Sequence, residues 1–108
     1  MGAKNHAIVV PDANKEQTLN ALAGAAFGAA GQRCMALSVV ILVGESQKWI
    51  PELVAKAKTL KVSGGTENGT DVGPLISCAA RDRVVGLIER GIADGATLEL
   101  DGRNPSLP

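Results

Sequence analysis

Two kinds of hydrophobic pattern alternate along the chain, short β-branched runs and longer runs with helical spacing. The runs at 6–10 (HAIVV) and 37–44 (LSVVILVG) are continuous, so each predicts a buried strand. Pro11 closes the first strand, and Gly44 bounds the second, which reads as a central strand. Elsewhere three segments carry apolar residues at intervals of three and four, a spacing typical of helices.

The first predicted helix follows the polar stretch DANKEQ, where Asp12 or Asn14 can cap free backbone N–H groups. The apolar positions of this helix are Leu19, Leu22, Ala23, Ala26, Phe27 and Ala30, and the small residues of its other face are Ala21, Gly24, Ala25 and Gly28. A helix that is apolar or small all round is usually buried on more than one side, so we expect packing on both faces. Gly31 can end the helix.

The second helix should begin near Lys48, because Pro51 is tolerated only in a first turn. Its inward residues are Ile50, Leu53, Val54, Ala57 and Leu60. After a Gly-rich surface connection at 61–77, Ser77 is predicted to cap a third helix. The inward residues of the third helix are Ala80, Val84, Leu87 and Ile88. The alternating segment ATLEL at 96–100 predicts a short final strand.

The predicted order is β-α-β-α-loop-α-β, which indicates an α/β fold with a parallel sheet and right-handed crossovers. Three strands are few for an open sheet with helices on both faces. We therefore expect residues 1–108 to be part of a larger domain.

Charge and composition narrow the classes of function. The chain has 108 residues with 11 basic and 11 acidic side chains, so its formal net charge is zero. This balance gives no electrostatic basis for binding nucleic acid or an anionic membrane surface. Phe27 and Trp49 are its aromatic residues, so base-stacking surfaces are almost absent.

Metal, disulfide and membrane functions are also disfavoured. Cys34, Cys78 and His6 do not have the spacing of a zinc site, and no disulfide framework is expected, so a reducing compartment is the default. The longest uncharged stretch, 17–32, is too short and too rich in Gly and Ala for a membrane span. No signal peptide is expected.

The segment FGAAGQRCMALS at 27–38 contains the strongest candidate chemistry, a thiol directly after a cation. Arg33 can favour the thiolate of Cys34, and a turn leading into a strand exposes backbone N–H groups that can hold an oxyanion. The alternative is a buried structural thiol, which local physics alone favours because free cysteines are among the most buried residues.

Three other features have plainer interpretations. Cys78 follows Ser77 at a helix start and is predicted to be inert. His6 could act as a base for Cys34, but no third group orients such a pair, so a structural histidine is favoured. The segment GGTENGTDVG lacks the Lys-Ser/Thr of a phosphate loop and is predicted to be a surface loop.

Four segments resemble the aldehyde dehydrogenase superfamily. GQRC, between an Ala/Gly helix and a strand, resembles its catalytic-cysteine segment. GAKNHAIVVPDAN at 2–14 resembles the segment after its general base, and DVGPLIS and DGATLELDGR follow in the expected order. GAKNH together with FGAAGQRCMALS is closest to the CoA-acylating branch that acts on methylmalonate semialdehyde, with bacterial members nearest. Because of this resemblance, a catalytic nucleophile replaces a buried structural thiol as the favoured interpretation of Cys34.

The resemblance implies a specific chemistry. Cys34 would attack the aldehyde carbon to give a thiohemiacetal, hydride would leave to NAD, and the resulting thioester would pass its acyl group to coenzyme A. In this branch the methylmalonyl intermediate also loses its carboxyl carbon as bicarbonate, so the products are propanoyl-CoA or, from malonate semialdehyde, acetyl-CoA.

The resemblance also assigns residues. The backbone N–H of Cys34 is an expected oxyanion donor, and Arg33 is expected to bind the carboxylate of the semialdehyde, which a guanidinium matches by bidentate geometry. Met1 and Gly2 resemble residues that line the nicotinamide pocket. No metal is implied.

Several family parts are not found in these 108 residues. The general base of hydrolytic relatives would precede Met1, and the NAD-binding domain, the second oxyanion amide, the acidic motif at the nicotinamide ribose and the oligomerisation strand are missing. We therefore expect part of a catalytic domain that is inactive by itself. A non-catalytic α/β module and part of a hydrolysing aldehyde dehydrogenase stay open.

Partners and compartment follow from the same resemblance. Besides the semialdehyde, the expected partner is the remainder of the dehydrogenase or a second copy of the chain, because the predicted central strand needs neighbours on both edges. The expected location is the bacterial cytoplasm, or the mitochondrial matrix in a eukaryote.

Overall fold

A computed structural model describes residues 2–105, which form an α/β unit around a parallel two-stranded sheet. The strands are β1 (Asn5–Val9) and β2 (Leu37–Leu42). The helices are α1 (Lys15–Phe27), α2 (Ile50–Lys58) and α3 (Cys78–Ala93), and 3₁₀ turns span Gly28–Gly31 and Gly44–Trp49. The predicted order β-α-β-α-loop-α is confirmed.

The two strands lie parallel because α1 returns the chain between them. Ile8 pairs with Ile41, but the register slips at the start of the sheet, where Asn5 pairs with Leu37 and His6 with Val39. Both strands begin at the same edge. Asn5 therefore lies beside the segment that leads into β2.

The inner face of α1 forms most of the small core. Asn14 caps the helix by accepting a hydrogen bond from the Gln17 backbone N–H at 3.0 Å, as the sequence predicted. Its buried residues are Leu19, Leu22 and Ala23, and the helix packs against β2 and α2.

The outer face of α1 is open, so the prediction that this helix is buried on more than one side is wrong for residues 2–105. Ala21 and Gly24 are exposed, and Phe27 is partly exposed. The physical reason is that the packing partners of α1 within the described chain, β2 and α2, do not cover this face.

The end of α1 differs from the prediction as well. The α-helix ends at Phe27 rather than at Gly31, and the next four residues form a 3₁₀ turn. Ala29, Ala30 and Gly31 all have positive φ angles, of 52°, 53° and 70°. Such angles are easy for glycine and costly for alanine, so this left-handed run reverses the chain at an energetic cost before the Cys34 segment.

The connection from β2 to α2 is fixed by a buried serine. The hydroxyl of Ser46 is fully buried and shares its single proton between two carbonyl oxygens, that of Val43 at 2.7 Å and that of Val9 at 3.1 Å. The α-helix then begins at Ile50, two residues after the predicted start, with Pro51 in its first turn.

The third helix is capped as predicted but packs loosely. The Ser77 hydroxyl accepts from the Ala80 backbone N–H at 3.1 Å. No residue of α3 is buried, and Leu87 is 58% exposed. The prediction that Val84 and Leu87 point inward is wrong here, since no described element forms a close packing surface against α3.

The predicted strand at 96–100 is absent from the described residues, which form no ladder there. A strand needs a neighbour to accept its backbone hydrogen bonds, and β1 and β2 pair only with each other. The chain instead turns at Asp101, whose carboxylate accepts from Arg103 Nε at 2.9 Å.

Within residues 2–105, no helix is long and apolar enough to cross a membrane. The same residues contain no group of three or more His, Cys, Asp or Glu side chains arranged to hold a metal ion.

Candidate active site

Cys34 lies on a tight turn between the left-handed run and β2. The Ala36 backbone N–H donates to the Arg33 carbonyl at 3.2 Å, which closes a four-residue turn. Cys34 and Met35 are the two central residues of this turn, and both are exposed. The thiol is therefore accessible, and the interpretation of Cys34 as a buried structural cysteine is wrong.

The turn leaves backbone donors free beside the thiol. Within residues 2–105, the N–H groups of Cys34 and Met35 donate no hydrogen bond. In an enzyme that forms a tetrahedral oxyanion, unpaired and fixed N–H groups near the nucleophile can stabilise the developing negative charge.

Asn5 holds the turn on its β2 side. Its Nδ2 donates to the carbonyl oxygens of Cys34 and Ala36, both at 3.0 Å. The parallel register brings Asn5 to this place, because the starts of β1 and β2 lie at one edge of the sheet.

Gln32 holds the other side of the turn. Its Nε2 donates to the carbonyl oxygens of Ala29, at 3.1 Å, and Pro74, at 3.2 Å, and its Oε1 accepts from the Ile76 N–H at 2.9 Å. Gln32 thus joins the left-handed run to the end of the connection before α3.

Arg33 folds back over the end of α1. A Cβ placed on Gly28 would lie 2.8 Å from Arg33 Nη1 and 3.1 Å from its Cζ, so any larger residue at position 28 would make the end of the Arg33 side chain shift. The guanidinium therefore lies at the C-terminal end of the helix, where the partial negative charge of the helix dipole favours a cation.

The other candidate residues lie apart from this turn. Cys78 is also exposed, at the first position of α3. That it is inert stays a prediction. The His6 ring lies on β1, with its Nδ1 2.6 Å from the Lys4 carbonyl, and forms no hydrogen bond with Cys34 within the described chain.

The aldehyde dehydrogenase family model matches residues 1–107. The chain belongs to the aldehyde dehydrogenase family. This membership confirms the resemblance that the cysteine segment and its neighbours suggested.

Curated relatives narrow the similarity within the family. The acylating methylmalonate-semialdehyde/malonate-semialdehyde dehydrogenase of Bos taurus, a mitochondrial protein, is 64% identical over 104 residues, which are 96% of this chain and 19% of the relative. The human enzyme of the same name is 63% identical over 103 residues, or 95% and 19% of the two chains. The chain thus spans about a fifth of the length of these relatives.

Solved structures have the same arrangement of elements. A protein from Sinorhizobium meliloti assigned as a methylmalonate-semialdehyde dehydrogenase, solved with NAD, matches with a TM-score of 0.91 and 45% identity over 95% of this chain and 21% of that one. The methylmalonate-semialdehyde dehydrogenase of Oceanimonas doudoroffii matches with a TM-score of 0.88 and 46% identity, over 99% and 22%. The α/β aldehyde dehydrogenase fold predicted from the sequence is confirmed.

Of the two predicted nicotinamide residues, Gly2 is within the described part of the chain. Met1 lies outside the described residues. Gly2 is exposed, and a Cβ placed on it would meet no atom within 4 Å. Residues 2–105 contain no G-x-G-x-x-G loop that could bind the pyrophosphate of NAD.

Sequence reasoning missed Asn5, Gln32 and Gly28. Two of them could have been found from their position in the sequence. Gln32 directly precedes the Arg33–Cys34 pair, and Asn5 starts the strand that pairs with β2. Their hydrogen bonds and contacts depend on register and on a chain reversal, which no local pattern specifies.

Proposed function

We propose that this chain is the thiol-bearing segment of an NAD-dependent, CoA-acylating methylmalonate-semialdehyde dehydrogenase, with Cys34 as its nucleophile. The observation that supports this most is the 63–64% identity to acylating enzymes of that name across nearly all of the chain. The exposed thiol on a turn with free N–H groups is the geometry that such a reaction needs.

In the proposed reaction Cys34 Sγ attacks the aldehyde carbon, and the carbonyl oxygen takes up the negative charge beside the Cys34 N–H. The C–H bond then breaks, its hydride leaves, and a methylmalonyl thioester forms on Cys34. The carboxyl group of this thioester leaves as carbon dioxide, which water converts to bicarbonate, and a proton takes its place on the α-carbon, so that Cys34 carries a propanoyl thioester. The thiol of coenzyme A attacks this thioester, so the acyl–sulfur bond moves to coenzyme A and Cys34 regains its proton. Splitting the oxidation in this way is what covalent catalysis provides.

Arg33 is proposed to bind the carboxylate of the semialdehyde. Within residues 2–105 its guanidinium forms no ion pair, so its donors are available to an anion. A guanidinium can hold a carboxylate with two parallel hydrogen bonds. Because Gly28 has no side chain, the guanidinium can lie over the end of α1, and we propose that it meets the carboxylate there.

NAD, when bound, supplies the acceptor for the hydride. In this chain the backbone at Gly2 is the part proposed to face it, together with Met1. The rest of the cofactor site and the site for coenzyme A are proposed to come from the remainder of the dehydrogenase, since the chain spans about a fifth of its relatives.

The same remainder is the proposed partner of the exposed sheet face. Ile8 and Ile41 pair across the sheet, yet they are 68% and 44% exposed. Parallel sheets normally have both faces covered. A bare apolar pair at this position therefore favours covering by other parts of the enzyme, with self-association of the 108-residue chain as the alternative when those parts are missing.

The compartment is proposed to follow the organism. In a bacterium we propose the cytoplasm, and in a eukaryote the mitochondrial matrix, in line with the mitochondrial relatives from cattle and humans.

The test uses the full-length enzyme that carries this segment, with methylmalonate semialdehyde, NAD and coenzyme A. NADH formation at 340 nm should vanish in Cys34→Ser and persist in the matched control Cys78→Ser. Mass spectrometry should find propanoyl-CoA as the product. A free acid formed without coenzyme A would instead support the hydrolysing alternative, and full activity of Cys34→Ser would overturn the proposal.

The 108-residue chain alone is proposed to be inactive in the same assay, because hydride transfer needs the cofactor held at near-attack distance. Steady NADH formation by the purified chain, abolished by Cys34→Ala, would contradict this. A chain that neither binds NAD nor restores activity with the remainder of the enzyme would favour a non-catalytic module.

A further inference from the structure

The turn that carries Cys34 is held by two side-chain amides from outside the turn, and neither residue type reacts with aldehydes. Asn5 precedes Cys34 by 29 residues in the chain, yet Nδ2 of Asn5 donates to two carbonyl oxygens of the Cys34–Ala36 segment at 3.0 Å each. Both acceptors are carbonyl oxygens, so both N–H bonds of one primary amide are used. Neither a carboxylate nor a hydroxyl group can donate twice in this way.

Gln32 uses its whole amide in the same manner. Its Nε2 donates to the carbonyl oxygens of Ala29 and Pro74, and its Oε1 accepts from the Ile76 N–H. One side chain thus joins the end of α1 to the connection before α3. Gln32 also donates its own backbone N–H to the Ala29 carbonyl at 3.0 Å. The residue before Arg33 is thus fixed on both the helix side and the connection side.

The left-handed run shows why such fixing is needed. Ala29 and Ala30 hold left-handed angles that cost roughly 1–2 kcal/mol per alanine, and such angles persist only where the surroundings enforce them. The Ala29 carbonyl accepts two of the hydrogen bonds that Gln32 donates. Without those bonds the run can relax, and the Arg33–Ala36 turn would move with it.

We propose that Asn5 and Gln32 are positioning residues that clamp the Cys34 turn from its two flanks and keep the Cys34 and Met35 N–H groups free beside the thiol. Asn5 restrains the ψ angle of Cys34, because it binds the Cys34 carbonyl oxygen. Gln32 restrains the segment that leads into the turn. This inference rests on the proposed function of Cys34 as the nucleophile. It adds that the reactivity of the thiol depends on two amides that do not touch the substrate.

Neutral variants test the clamp without adding charge. Asn5→Ala removes both donors to the turn, and Gln32→Met keeps the length of the side chain but removes its three hydrogen bonds. Asn68→Ala and Gln47→Met are matched controls at exposed positions whose side chains form no hydrogen bond within residues 2–105. In the full-length enzyme we expect kcat to fall about 10–100-fold in the clamp variants with KM within about twofold, because a displaced nucleophile slows chemistry more than binding. The controls should keep their kcat.

A second readout follows the thiol without any aldehyde chemistry. In the 108-residue chain carrying Cys78→Ser, iodoacetamide can label Cys34 only, and the labelling rate is measured across pH 6–10. We expect the clamp variants to label at least about threefold more slowly near neutral pH than the controls, since the thiolate loses its fixed N–H neighbours. Circular dichroism checks that each variant is folded.

Each outcome decides the question. Folded clamp variants with unchanged kcat and unchanged labelling would overturn the proposal. Loss of folding in both clamp variants, while the controls fold, would also overturn it, because it would indicate a purely structural role. A kcat loss matched by an equal rise in KM would also contradict it. If Cys34→Ser keeps its activity, the proposed function fails regardless of these results. If Cys34 is essential and the clamp variants behave like the controls, only the clamp fails.

Discussion

The guanidinium of Arg33 lies against Gly28, so close that a Cβ at Gly28 would come within 2.8 Å of Nη1. This contact places the cation that precedes the thiol over the end of α1, although Arg33 stays exposed. The missing side chain at Gly28 thus leaves room for the guanidinium at this place.

Replacing Arg33 with alanine in the full-length enzyme should selectively harm substrates that bear a carboxylate. Loss of a charged, bidentate contact should cost about 1.5–3 kcal/mol in kcat/KM for methylmalonate semialdehyde. Propanal, which has no carboxylate, should lose much less, and steady-state kinetics with both substrates measure the difference. Equal losses would indicate that Arg33 acts on the thiol alone.

Gly28→Ala should reproduce part of the Arg33→Ala effect. The backbone at Gly28 has φ −55°, which alanine accepts, so the main consequence is that the guanidinium must move. We expect a higher KM for the carboxylate substrate and little change for propanal. Gly24→Ala is the matched control, because its Cβ would meet no atom within 4 Å. Identical kinetics of both glycine variants would contradict this role.

Gly24→Ala itself should stabilise the chain. Gly24 lies inside α1 on its open face, where glycine is less favourable than alanine by roughly 0.5–1 kcal/mol. Urea unfolding should show an increase of that size in the free energy of unfolding. A decrease would mean that this face packs against another surface under the conditions of the experiment.

Cys34 should be the more reactive of the two exposed thiols. Arg33 precedes it and two free N–H groups lie in its turn, whereas Cys78 has the N-terminus of α3 and, one turn later, Arg81. Iodoacetamide labelling of the native chain followed by peptide mapping compares the two rates directly. Faster labelling of Cys78 would contradict the assignment of Cys34 as the activated thiol.

The pKa of the Asp101 carboxyl should depend on Arg103. The Arg103 side chain donates to both carboxylate oxygens, at 2.9 Å and 2.7 Å, and these hydrogen bonds lower the Asp101 pKa from 3.8 to about 2. A lowered pKa in the folded state stabilises the fold above the unfolded value, and this contribution is lost as the pH falls towards 2.

Arg103→Gln should therefore return the Asp101 titration to near its ordinary value, and carbon NMR of the carboxyl group measures it. Arg90→Gln, which removes the exposed ion pair to Asp94, is the control and should leave Asp101 unchanged. An Asp101 titration that stays near pH 2 in Arg103→Gln would show that another group is responsible.

Local sequence signals predicted the elements because local interactions form them. Asn14 and Ser77 cap their helices by hydrogen bonds to N–H groups three residues later, and Pro51 limits where α2 can begin. Such contacts span less than one helical turn, so they can be read from neighbouring residues. The prediction of a strand at 96–100 was wrong because a strand depends on a neighbouring strand. The alternating pattern of these residues could not show whether such a neighbour was available.

Some features of the candidate site could also be predicted from the sequence, and others could not. The sequence by itself determined the β-α-β order and, through resemblance to the aldehyde dehydrogenases, the choice of Cys34 and Arg33. Only the tertiary structure decided that the thiol is exposed, that Arg33 lies on Gly28, and that Asn5 and Gln32 hold the turn. These contacts join residues as far as 44 positions apart, and they arise from the parallel register and the left-handed reversal, both of which form only when the chain packs.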